Sequence, residues 1–315
     1  MDTTHQQTAK IATTPRTLPS ENEPRKSRGI SFEIRMMLPA LLLLAALSLF
    51  PFFYMIWMSF NDVSLFGGIA FRWTGLNNWG LMLGVPGVGQ SWLITLIYFV
   101  ATVGVEMLLG IAIALLVHEV VWGKNIALSL LLIPMFIAPV IVGLLGRFMV
   151  NPTYGLYSWV LKGTGLSNGS VFGSPVPAFI AIVLMDVWEW TPLITLITLA
   201  GLVSLPTQVI EAATVDGANY VQRLRRVVLP MISGIVIVAL LIRSMDAIRY
   251  FDVVWLATNG GPADATKIIP IRLYDNAFRF FHLGYAAAIG LGMLVFSILV
   301  ANLFLRVLRQ RGMIA

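Results

Sequence analysis

Cysteine is missing altogether from the 315 residues, which excludes a disulfide framework and any thiolate-bound metal. Histidine is nearly missing: His5, His118 and His282 stand far apart at no ligand spacing, so an imidazole metal cluster is not expected. Charge is scarce as well. Asp, Glu, Lys and Arg make up 11% of the chain, against roughly 25% in a soluble domain. There is no GxxxxGK[ST] run to cradle a nucleotide phosphate. What is abundant is apolar: 58% of residues are hydrophobic. So little charge cannot cover a water-facing surface of this size, whereas lipid accepts apolar side chains without penalty. The composition therefore describes an integral membrane protein, and its length and pattern an all-α one. The net charge of +6 points to topological signals beside spans rather than to nucleic acid.

Residues 1–35 open with a Thr-, Pro- and charge-rich stretch without periodicity and read as a disordered cytoplasmic tail. It is too long for a signal peptide, and no small-residue cleavage site follows it. Six apolar runs of about the length a bilayer requires come next, at 37–60, 92–117, 126–149, 178–203, 228–247 and 284–306. Pro39 and Pro51 are placed to kink the first. Arg243 and Asp246 interrupt the fifth. The Gly-, Asn- and Pro-containing stretches 61–90 and 150–177 read as surface loops, and 311–315 as a short cytoplasmic tail. No internal repeat is visible. With the N-terminus inside, six spans return the C-terminus to the same side. Thirteen of the 21 Lys and Arg then lie inside, as the positive-inside rule demands. The exception is the 248–283 stretch, whose Arg249, Lys267, Arg272 and Arg279 fall outside, so it reads as more than a connector.

Between the fourth and fifth runs lies the most informative segment, Glu211–Pro230, EAATVDGANYVQRLRRVVLP. Ser204 and Pro206 mark a helix start, and Gly217 suits the left-handed residue that ends a helix. A second short helix is expected through Arg226, before Pro230 opens the fifth span. Ala212, Ala213 and Ala218 are small enough for another protein to approach the backbone. Glu211 and Asp216 offer charges that fix register, and Arg223, Arg225 and Arg226 suit anionic headgroups. Taken locally, the same segment also fits a solvated amphipathic connector.

The spacing Glu211-Ala212-Ala213, Gly217, Val227, Leu229-Pro230 resembles the EAA loop of binding-protein-dependent ABC importer permeases. Val227 replaces the commoner Ile, and Leu224 stands where the sugar branch often has Phe. The resemblance extends over about 36–310. Asp186-Val187-Trp188, Thr191-Pro192, Leu199-Ala200-Gly201-Leu202 and Leu205-Pro206 are similar to the run leading into the loop in carbohydrate permeases. Thr258-Asn259-Gly260-Gly261-Pro262 with Thr266 is similar to their outer loop, and Gly284-Tyr285-Ala286-Ala287-Ala288 to the start of their last span. Together these resemble the maltose-type carbohydrate uptake 1 family, in its first permease subunit.

The resemblance implies a type I importer permease fold of about six transmembrane helices in the bacterial inner membrane. It implies a second, homologous permease, a cytoplasmic ATPase homodimer that binds ATP and Mg in place of this chain, and an extracytoplasmic solute-binding protein. Glu211, Ala212, Ala213, Asp216, Gly217 and Ala218 would then couple to the ATPase. The stretches 61–90 and 256–270 would receive the binding protein. The chain would catalyse no reaction itself.

Ionisable groups inside spans are costly and are functional candidates for that reason. In the fourth run Asp186 and Glu189 combine acceptors for solute hydroxyls with the stacking faces of Trp188 and Trp190. The other reading of the same residues is an interfacial aromatic belt with acids at the membrane surface. Pro192 would free a backbone carbonyl nearby. Asp246 and Tyr250 are further solute candidates. Arg243 reads as an internal ion pair with Asp246, or Asp246 pairs instead with Arg249 and Tyr250. Glu106 reads as structural or as facing the partner permease. A carbohydrate-like solute is expected. Glycerol-phosphate or another small polar solute is the alternative, and a stand-alone secondary transporter is a more distant one, which the EAA-like segment does not serve.

Overall fold

The computed structural model describes residues 32–65, 68–165 and 170–310; of the tails expected at 1–35 and 311–315 only residues 32–35 fall within these, and they already belong to a helix. Among the described residues, α-helices and two strands follow one another, with short 3-10 and π turns between some of them. Helix α1 (Phe32–Ser59) leads to a two-stranded antiparallel hairpin, β1 (Asn61–Ser64) and β2 (Ala70–Trp73), and a short α2 (Asn77–Gly84). Then come α3 (Pro86–Glu119), α4 (Lys124–Leu132), α5 (Pro139–Met149), α6 (Leu156–Gly163) and α7 (Pro175–Val203). The chain continues with α8 (Thr207–Val215), α9 (Tyr220–Arg223), α10 (Leu229–Ala247), α11 (Asp252–Ala257), α12 (Ile269–Tyr274) and α13 (Leu283–Gln310). The chain divides into two units, residues up to Phe50 and residues from Pro51 onward. In the first unit the described side chains are almost all exposed and apolar, which suits lipid. Helix α1 runs past Pro39 and Pro51, so neither proline ends it.

The long helices form because an apolar stretch in lipid must satisfy its backbone groups within itself. Among the described residues five helical stretches are long and apolar enough to cross a membrane, and a bent pair makes a sixth crossing if it counts as one span. That pair refines the span expected over 126–149, which is broken by a sharp bend. Lys124–Phe136 and Pro139–Met149 meet at 92°. Pro134 and Pro139 each lack an amide hydrogen and open their own turn, so the helix cannot be continued through Ile137–Ala138.

A correction concerns the fifth span. The short helix expected before Pro230 does not stop there: 220–247 is one helical stretch, with a π-turn over Leu224–Val228. Leu229 donates its backbone N–H to Leu224 O, five residues back, a widening that makes room for the Pro230 ring. The loop expected at 61–90 likewise holds the hairpin and α2, with Asn78 Nδ2 donating to Ser59 O at 3.0 Å and Asn61 O at 2.9 Å.

In the second unit α3 and α7 form the densest helix pair. The buried face of α3 carries Ser91, Thr95, Tyr98, Thr102, Glu106, Gly110 and Ala114 at three- and four-residue steps. At Gly110 a Cβ would stand 2.6 Å from Ile194 Cβ, so glycine is what lets the two backbones approach. Replacing it is therefore expected to wedge the pair apart. Gly110→Leu should cost about 1–3 kcal/mol and lower the thermal unfolding midpoint of the detergent-solubilised chain. Gly104→Leu, where nothing lies within 4 Å of the added Cβ, should leave that midpoint unchanged.

Candidate functional site

Three helices bring their polar residues to one buried point. Arg243 of α10 is 1% exposed. Its Nε and Nη2 donate to the two carboxylate oxygens of Glu106 on α3, at 2.7 and 2.9 Å. Nη2 also donates to Asp186 Oδ1 on α7. Nη1 lies 3.5 Å from Asp246 Oδ2 one turn along the same helix. Above the guanidinium sit the rings of Trp190 at 5.2 Å and Tyr250 at 5.7 Å. Two tyrosines close the cluster: Tyr98 donates to Asp186 Oδ2 at 2.7 Å and Tyr250 to Glu189 Oε2 at 2.5 Å. Their rings stack at 6.3 Å between centroids.

The sequence-derived candidates divide accordingly. Asp186, Glu189, Trp190 and Tyr250 meet in this cluster, and Asp246 reaches its edge with a side chain 42% exposed. Trp188 does not join them; it is 51% exposed on the other side of α7. Arg243 does pair with Asp246, but only at the margin, and its main partners are Glu106 and Asp186. The alternative pairing of Asp246 with Arg249 and Tyr250 does not form: Arg249 Nε donates to Met245 O at 3.1 Å, and Tyr250 is committed to Glu189. Glu106 has the structural role allowed for it. Tyr98 was missed, although its place on the Ser91–Thr95–Tyr98–Thr102–Glu106 face was a legible signal. Pro192 stands inside α7, and its missing amide hydrogen frees Trp188 O. Thr191 Oγ1 bonds back to Val187 O at 2.5 Å beside it.

A second site lies at the far ends of α7 and α10. Helix α8 is exposed, starts after Pro206 and ends in a Schellman turn. Gly217 has φ +79°, Ala218 N–H donates to Ala213 O and Gly217 N–H to Thr214 O, both at 3.0 Å. Asn219 and Gln222 then form a reciprocal capping box that starts α9, with both bonds at 2.9 Å. Arg223 Nη1 donates to Thr214 Oγ1 at 2.6 Å and ties the two helices together. Glu211, Ala212, Asp216 and Gly217 are exposed, Ala213 and Ala218 half-buried, and Val215 is 88% exposed. Helix, turn and helix thus make a braced knob whose outer surface is unpartnered among the described residues.

Residues 106–312 match the family model described as the binding-protein-dependent transport system inner membrane component. The chain belongs to this family. A trehalose/maltose transport system permease protein of Thermococcus litoralis is 33% identical over 88% of this chain and 92% of its own length. A trehalose transport system permease protein of Mycobacterium tuberculosis is 30% identical over 85% of each. A sulfoquinovosyl glycerol transport system permease protein of Agrobacterium fabrum is 29% identical over 88% of this chain and 90% of its own. The fold matches that of a bacterial ABC transporter involved in importing the acidic polysaccharide alginate, with TM-score 0.78 and 20% identity. The match covers 88% of this chain and 95% of the other. As a member of the family, the chain is a multi-pass transport subunit of the inner membrane that works with a solute-binding protein. Its family segment begins at Glu106 and so contains Arg243, Asp186 and the α8–α9 knob together.

A buried charge whose partner is removed costs about 3–5 kcal/mol, while replacing the whole group by apolar residues can be neutral. Arg243→Leu alone is therefore expected to destabilise the chain by about that much, since it strands Glu106 and Asp186. Combining it with Glu106→Leu and Asp186→Asn should recover most of the loss, as read from thermal unfolding in detergent. Additive losses across the three substitutions would contradict the coupling.

Proposed function

We propose that this chain is one of two homologous permease subunits of an ATP-driven importer for an uncharged, carbohydrate-like solute. A cytoplasmic ATPase homodimer holds the ATP and Mg and grips the knob through Glu211, Ala212, Ala213, Asp216, Gly217 and Ala218. The knob's braced but exposed form is the observation that carries this reading, because a lever must be stiff within itself and open to its partner. Both termini are cytoplasmic in this arrangement, so the knob lies inside and the 248–283 stretch outside. An extracytoplasmic solute-binding protein delivers the solute there.

Closing of the ATPase dimer moves the knob, and through the unbroken 220–247 helix the motion reaches Arg243 and Asp246 directly. The spans rock between outward and inward access. The solute passes Asp186, Glu189, Trp190, Asp246 and Tyr250, where hydroxyls compete with Tyr98 and Tyr250 for the carboxylate oxygens and a sugar ring stacks on the Trp190 indole; Trp188, on the other side of α7, stands outside this path. Arg243 is the single buried Lys or Arg among the described residues, and acidic partners occupy its nitrogens. An anionic solute finds no free cation here, which favours a neutral sugar or polyol over a glycerol-phosphate. The sugar named for the Thermococcus and Mycobacterium relatives supports the same class.

The test is reconstitution of the complex in liposomes with its binding protein. Neutral saccharides are expected to be taken up with ATP hydrolysis, and phosphorylated ones not. Gly217→Leu should abolish uptake while the complex still assembles, since φ +79° strains any residue with a Cβ. Normal uptake by that variant would sink the assignment of the knob.

A further inference from the structure

The cations of the 248–283 stretch stand out against the positive-inside pattern, and three of them are used up internally. Lys267 pairs with Asp264 at 3.2 Å and Asp275 at 3.3 Å, Arg272 with Asp264 at 3.6 Å, and Arg279 with Asp275 at 3.0 Å. Arg147, at the end of α5, has no acidic partner among the described residues. Its one described hydrogen bond is a long one from Nη1 to Leu256 O, 3.4 Å. It opens into a cavity of about 430 Å³ lined also by Phe172, Thr258, Asn259, Gly261 and Pro262.

The wall of this cavity is already folded. Thr258 Oγ1 and Thr266 Oγ1 share a hydrogen bond at 2.6 Å, Thr266 Oγ1 lies 2.7 Å from Gly261 O, and Arg279 Nη2 donates to Asn259 Oδ1 at 3.3 Å. Gly143, one turn before Arg147, lets α5 lie against α11, since a Cβ there would stand 2.9 Å from Val253 Cα. The cavity therefore adjoins the C-terminal end of α11, at the ends of α7 and α10 opposite the knob. A guanidinium with open donors beside neutral Thr and Asn, in a preformed concavity, matches one carboxylate held by its paired N–H groups. Headgroup recognition usually gathers several cations, and here a single one stands alone.

We propose that the Arg147 cavity seats an Asp or Glu side chain of the extracytoplasmic solute-binding protein when it docks. This rests on the reading of the chain as an importer permease. It adds the chemistry by which the outer face recognises its partner, with little ordering cost because the wall is rigid beforehand.

The test uses the full complex in nanodiscs of zwitterionic lipid, titrated with its solute-loaded binding protein while ATP hydrolysis is followed. Arg147→Glu is expected to raise the half-saturating concentration about tenfold, and Arg147→Ala less. Arg249→Glu, an exposed change outside the cavity, should leave it where it was. Reversing the matching acid on the binding protein to Arg should restore the Arg147→Glu complex, which also shows that the variant is folded. Three results overturn the proposal: an unshifted titration for Arg147→Glu, an equal shift for Arg249→Glu, or a shift that appears only when anionic lipid is present. Failure of the binding protein to stimulate the unaltered complex at any concentration would instead overturn the importer reading, and the docking site with it.

Discussion

A guanidinium inside a bilayer must be surrounded by acceptors, and the assembly of α3, α7 and α10 is organised by how Arg243 meets that demand. Glu106 and Asp186 come from different helices and converge on it, with Tyr98 holding the Asp186 carboxylate from behind and Tyr250 bonded to the neighbouring Glu189. Gly110 permits the approach of α3 to α7, and the π-turn at Leu224–Val228 lets the helix bearing Arg243 continue unbroken from the knob. A polar cluster of this kind contributes less to net stability than to uniqueness of packing.

That same cluster joins the two ends of the transport problem. It gathers carboxylates, phenols and a guanidinium in one buried place, and the helix that carries Arg243 and Asp246 is the one that emerges as the α9 side of the knob. A displacement of the knob therefore has a continuous helical path to the polar centre, with no flexible linker to absorb it. The end of the spans opposite the knob is built differently, from a short loop cross-linked by hydroxyls and ion pairs around Thr258, Thr266, Lys267 and Asp264. Stiff elements at both faces with a polar seam between them suit rocking better than local unfolding.

The knob was legible in the sequence because its determinants are local. Gly217 is four residues from Ala213, whose carbonyl the turn satisfies, and the small residues and charges stand at fixed spacing around it. The spans were legible from apolar run length. What local spacing misses is a partner chosen by the fold: Glu106 and Asp186 lie 137 and 57 residues from Arg243, so the nearby Asp246 looked like the natural pair. Tyr98 was hidden for the same reason, though helical periodicity on α3 marked its face. The bend near Ile137 had a local cause in Pro134 and Pro139, but run length alone averages over it and marked only a single span. Pro230 carried the opposite lesson, since a proline that reads as a helix start is accommodated inside a longer helix by one wide turn.

We propose that this chain works as a subunit coupled to an ATPase. Purification from its native membrane in mild detergent, with mass-spectrometric identification of what accompanies it, tests this most directly. Recovery of a second permease and a cytoplasmic ATPase in one complex is the predicted result. Recovery of the chain alone, with transport intact and indifferent to ATP, would contradict it.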